Sequence, residues 1–221
     1  MLSNGHFGLL AAFILALGTP LQSFAGSVSL EFYDQSTGKP LPGVVVTADN
    51  GMTPSPATAE MAQQQRAFAP HVLIIPQDTT VSFPNRDNTQ HHVYSFSKPK
   101  PLNIELYAGQ PEAPIRFDKT GIVELGCNIH DNMQGFIVVT DKSQASRSGD
   151  DGISQFELPD DSLEGGLNVE IWHPRLRNNT TSQFITLTGP FPITQTLTLD
   201  VMPEKAPRSG LEGLQKRFRD L

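Results

Sequence analysis

The chain has 221 residues, with 16 Lys and Arg against 23 Asp and Glu, giving a formal net charge of −7 at neutral pH. That balance argues against nucleic acid or an anionic membrane as a partner. Glycine and proline number 18 each and cysteine occurs once. A single cysteine excludes an internal disulfide, and short apolar runs rich in Val, Ile, Thr and Phe point to a β-rich chain.

Residues 1–25 read as a secretory signal peptide. An uncharged apolar run from Leu9 to Leu17 precedes Ser23-Phe24-Ala25, a small-x-small cleavage pattern. The leader departs from the usual pattern in carrying His6 but no Lys or Arg before the run. The run is shorter than the roughly 20 apolar residues a spanning helix needs, so no membrane span is expected in the mature chain. Residues 27–50 then read as two strands, with Val28, Leu30 and Phe32 alternating on one face. Residues 51–67 are polar and broken by Pro, and read as a linker. Residues 68–142 hold seven strand-like runs, "HVLIIP", "TTVSFPN", "HHVYSFS", "LNIELY", "IRFD", "GIVELGC" and "GFIVVT". Their spacing between turn residues predicts an all-β sandwich. After a polar stretch, "KSQASRSGDDG", residues 150–202 give four more strands. The tail 203–221 has Leu211, Leu214 and Phe218 at helical spacing, in a segment too short to be a stable helix alone.

The chemistry concentrates in "LGCNIHDNMQGFIVV", where Cys127, His130 and Met133 stand three residues apart. Thiolate, imidazole and thioether suit copper, and two His with one Cys and a weak axial Met make a blue-copper donor set. The loop supplies three of those four ligands, and the adjacent His91 and His92 offer the fourth at the head of a strand. The plainer alternative makes Cys127 a small buried hydrophobe, His130 a turn residue and Met133 core filler. Other chemistries fit less well. Haem attachment wants C-x-x-C-H, a structural zinc site wants further cysteines, and no nucleophile signature surrounds Cys127. His173 and His71 read as structural or surface residues, and Asp150-Asp151 and Asp160-Asp161 lack calcium-loop spacing.

The motifs "TTVSFPNRD", "HHVYSF" and "IRFDKTGIVELGCNIHDNMQGFIVV" resemble cupredoxins of the plastocyanin and amicyanin kind. Within that kind, the motifs resemble methylamine-utilisation-type plastocyanin-like proteins in particular. The resemblance covers residues 68–142 and implies a Greek-key copper sandwich, ligated by His91, Cys127, His130 and Met133, that transfers electrons in the periplasm. A periplasmic dehydrogenase or a c-type cytochrome is the partner it implies. The chain departs from that pattern at Leu125-Gly126, where an aromatic is usual, and at Asp131, where Pro is frequent. The flanking segments 27–50 and 150–202 are similar to transthyretin-like or carboxypeptidase-regulatory-like sandwiches. They suggest a second small sandwich into which the copper module is inserted; the alternative is an N-terminal hairpin added to the copper module's own sheet.

The two histidines divide the evidence. Strand parity sets His91, Val93 and Ser95 on one face and His92, Tyr94 and Phe96 on the other. Apolar weight favours the second face as core, hence His92 as the ligand. The H-N-V motif of the resembled family favours His91, with His92 in the asparagine position, bonding across to the cysteine loop. The expected function is electron transfer by a copper protein that is not an enzyme. The alternative is a copper-binding, delivery or scaffold module without electron traffic.

Overall fold

The computed structural model describes residues 24–49, 51–111, 113–130, 132–159 and 166–204. The stretch 1–25, expected from the sequence to be a signal peptide, lies outside them apart from Phe24 and Ala25, as do Asp131, Asp160-Asp161 and the tail from residue 205 onward. All regular structure among the described residues is β-strand, and none of it forms a helix long and apolar enough to cross a membrane.

The first strands are β1 (Phe24–Asp34) and β2 (Val45–Ala48). In β1 the period-two reading holds: Val28, Leu30 and Phe32 are fully buried while Ser27 is exposed and Ser29 and Glu31 are partly so. Three short strands follow, β3 (Thr58–Glu60), β4 (Ala62–Gln64) and β5 (Ala67–Ala69). The stretch 51–67, read from sequence as a linker, is therefore largely built into a sheet and a hairpin. Its polar composition concealed this, because Gln63 is buried by pairing and not by hydrophobicity. Its amide donates to the Met61 carbonyl and its side-chain oxygen meets the Tyr107 hydroxyl.

The central block comprises β6 (Val72–Pro76), β7 (Thr79–Ser82), β8 (His91–Ser95), β9 (Leu102–Tyr107), β10 (Ile115–Phe117), β11 (Gly121–Gly126) and β12 (Gln134–Thr140). These are the seven runs read from the sequence. Together with β3 they form a five-stranded sheet, β6-β12-β11-β8-β9, facing a three-stranded sheet, β10-β7-β3. Met61, Phe68, Ile75, Val81, Phe83, Val93, Phe117, Val123, Leu125 and Ile137 fill the space between.

The last strands are β13 (Gln144–Arg147), β14 (Ile153–Pro159), β15 (Leu167–Trp172), β16 (Gln183–Leu187) and β17 (Ile193–Leu199). The polar run "QASR" of β13 was expected to be part of a connection. It is an edge strand on β2, where backbone pairing suffices and no apolar alternation is needed. Strands β14, β1 and β17 form one sheet, and β13, β2, β15 and β16 another. The segment before the central block thus pairs with the segment after it, and β1 joins no sheet of the central block.

Strand β12 joins the two cores. Ile137 and Val139 point into the central sandwich. Phe136 and Val138 point outward with Val72 and Ile122, into the core that holds Leu30, Phe32 and Trp172. The Phe136 and Trp172 rings meet edge to face with centroids 5.1 Å apart. A strand covered on both faces reads as the unbroken apolar run "FIVV".

Candidate metal centre

Strand β8 runs antiparallel beside β11, with Tyr94 opposite Gly126. This register brings His91, the first residue of β8, against the loop that leaves β11 at Cys127 and re-enters the sheet at Gln134. The backbone N–H of Met133 donates to the His130 carbonyl at 2.9 Å and tightens that loop into a turn. Cys127 Sγ lies 3.8 Å from His91 Nδ1 and 3.8 Å from His130 Nδ1. The three donor atoms all fall within 4.8 Å of one another. His91 is fully buried, Cys127 is buried and His130 is half-buried.

These spacings suit a metal. With bonds of about 2.3 Å to sulfur and about 2.0 Å to nitrogen, a trigonal arrangement separates the two donors by about 3.7 Å. One thiol and two imidazoles are also the donor types that soft and borderline ions select. Met133 is buried in the same core as Cys127, on the same loop as the other donors.

His92 does not join the cluster. It is buried on the opposite face of β8, its ring 5.7 Å from that of Tyr94, and its Nδ1 has no hydrogen-bond partner. The cross-loop hydrogen bond expected of it is absent among the described residues. The apolar-weight reading of β8 fails for a physical reason. Val93 and Ser95 are the core-facing pair, while Phe96 is 88 % exposed. Tyr94 lies over Gly126, where a Cβ would come within 2.6 Å of its ring. The missing aromatic beside Cys127 thus leaves room for an aromatic from the neighbouring strand.

Several polar residues around the donors were not singled out from the sequence. His91 Nε2 lies 2.8 Å from Asp87 Oδ2. Burial works against the Asp87 carboxylate, yet the Arg66 amide, the His91 ring and the Gln65 amide together hold it below its ordinary range. Asn85 braces the same loop, donating to the carbonyls of Thr89 and Tyr107 and accepting from the Asp87 N–H. Burial pushes the Tyr107 phenol up to about 12, and its hydroxyl reaches the Phe83 carbonyl at 2.6 Å. The one sequence signal was a cluster of Asx residues, "PNRDN", shortly before the histidine pair. His71 and His173 lie apart from the cluster, each against a backbone carbonyl, of Gln134 and Pro42 respectively.

No family model and no curated protein matches the chain. Solved structures similar to it include a purple cupredoxin from Nitrosopumilus maritimus, at 21 % identity over 37 % of this chain and 99 % of the other, with a TM-score of 0.33. A mutant of amicyanin in its reduced Cu(I) form is similar at 17 % identity, over 43 % of this chain and 98 % of its own, with a TM-score of 0.35. A pseudoazurin from Sinorhizobium meliltoi is similar at 21 % identity, over 39 % and 76 %, with a TM-score of 0.31.

Proposed function

We propose that this chain is a type 1 copper protein of the cupredoxin kind, exported to the periplasm, and that it passes single electrons between redox partners. The observation that carries the reading is the triad of buried His91, buried Cys127 and half-buried His130, with two sulfur–nitrogen separations of 3.8 Å. His91, Cys127 and His130 would hold the ion, with Met133 as the weak fourth donor. When bound, copper would supply one-electron chemistry between its cuprous and cupric states.

The residues divide the remaining work. Buried His91 and Cys127 keep water from the donors, His91 being held in β8 and Cys127 directly after β11, so a change of oxidation state needs little rearrangement. Half-buried His130 offers the edge through which an electron leaves. Four donors from the protein leave no open position for substrate, which favours a carrier over an enzyme. A periplasmic dehydrogenase or a c-type cytochrome is the partner class in this reading, and kinship with methylamine-utilisation-type plastocyanin-like proteins belongs to it as well. We further propose that residues 27–50 and 150–202 form an accessory transthyretin-like sandwich. In this division the copper module begins at β3, since Met61 is fully buried in its core.

A redox titration followed in the visible range tests the proposal. An intense band that bleaches and returns reversibly supports electron transfer. A colourless protein that retains only Cu(I) refutes it and favours a delivery or storage module.

A further inference from the structure

The loop between β4 and β5 consists of Gln65 and Arg66, both with positive φ, 56° and 58°. Two successive left-handed residues are the signature of a type I′ hairpin turn, here built without glycine. In that conformation both backbone N–H groups point the same way, and both end on Asp87. Gln65 N–H donates to Oδ1 at 2.6 Å and Arg66 N–H to Oδ2 at 2.8 Å. The same Oδ2 lies 2.8 Å from Nε2 of fully buried His91.

Three donors therefore converge on one carboxylate. An ionised Asp is acceptor-only at both oxygens, whereas Asn offers a single acceptor oxygen and two donor hydrogens. With Nε2–H committed to Asp87, the His91 ring presents a bare lone pair at Nδ1, the atom that faces Cys127 Sγ. A carboxylate behind the imidazole also places a negative charge one ring away from the donor cluster.

We propose that Asp87, clamped by the turn amides of Gln65 and Arg66, is a positioning residue for the metal centre. It fixes the tautomer and aim of His91 and favours the more highly charged oxidation state of the bound ion. The β4–β5 hairpin is thereby part of the site, although it contributes no donor atom. This rests on the copper reading for its redox half and on the hydrogen-bond geometry alone for its tautomer half.

Asp87→Asn in the full chain tests it, with Cu(I) and Cu(II) affinities each measured by competition with a chromophoric chelator. Removing an outer partner of a ligating histidine typically costs about 10–100-fold in metal affinity. The Cu(II) affinity is expected to fall by that factor and the Cu(I) affinity by less, so the reduction potential rises. Equal losses for both ions, or no loss for either, would overturn the proposal, since a merely structural residue does not discriminate between the two charges. Nitrogen-15 spectra of the metal-free wild type supply a second readout. They are expected to show His91 protonated at Nε2 with a slowly exchanging proton, and protonation at Nδ1 instead overturns the proposal. If the wild type binds no copper, the copper reading fails and the tautomer measurement alone decides the role of Asp87. If the variant does not fold, the wild-type spectra decide it in the same way.

Discussion

His173 directly follows β15 and is 5 % exposed. Both of its nitrogens are engaged. Nε2 donates to the Pro42 carbonyl at 3.2 Å and Nδ1 accepts the Arg175 backbone N–H at 3.2 Å. A second proton would have to sit on Nδ1, against that donor. Burial first, and the Arg175 guanidinium second, push its pKa from 6.5 down to about 4. The sign follows from proton counts. Between about pH 6.5 and pH 4 the unfolded chain binds a proton at this position that the folded chain does not, so stability falls as pH falls through that window. The loss from this one group is about 2 kcal/mol at pH 5 and about 3 kcal/mol at pH 4. His173→Asn keeps an acceptor near the Nδ1 position but cannot titrate. At pH 7 it is expected to cost about 1–3 kcal/mol, for the lost Pro42 bond and the void it leaves. Urea denaturation followed by fluorescence of Trp172, the only tryptophan in the chain, measures both proteins at pH 7 and pH 5. The wild type is expected to lose about 2 kcal/mol more than the variant on acidification. Equal losses would show that His173 is not the buried neutral group described here.

Phe136→Ala should cost roughly 3–5 kcal/mol and alter Trp172 emission, because the lost ring packs edge to face on the indole; thermal unfolding and fluorescence check both. His91→Ala should abolish the copper band, whereas His92→Phe should retain it at a stability cost under about 1 kcal/mol, since the replacement removes a buried nitrogen with no partner. Deleting residues 143–221 takes β14 and β17 from β1 and β13 and β15 from β2. Limited proteolysis should then digest residues 27–50, and protection of that segment would contradict the pairing. A fragment 55–142 should fold where 68–142 does not, because only the longer one keeps β3 and Met61; circular dichroism separates them.

The legible part of the fold was the part held by hydrophobic periodicity. Val28, Leu30 and Phe32 alternate, "FIVV" runs unbroken, and both patterns match the burial found. What escaped was held by hydrogen bonds. Thr58–Gln64 and Gln144–Arg147 carry little apolar signal, and their strands exist because a neighbouring backbone lies in register. The metal centre divides the same way. The spacing of Cys127, His130 and Met133 is local, so sequence displays it. Asp87 gains its amide partners only when a hairpin 21 and 22 residues upstream folds back upon it. The placement of His91 beside Cys127, with His92 on the other face, goes with Gly126, whose missing side chain lets Tyr94 lie on the outer face of the sheet. Counting apolar residues on each face of β8 took no account of that.

The central claim is that Cys127 is a metal ligand and not a buried bystander. Its most direct test is the copper content and visible spectrum of the full chain beside Cys127→Ser, with circular dichroism to show that both are folded. The expected result is one copper per wild-type chain and an intense thiolate-to-copper band that the serine variant lacks while keeping its fold. A wild type that takes up no copper, or a serine variant with an unchanged band, would contradict it.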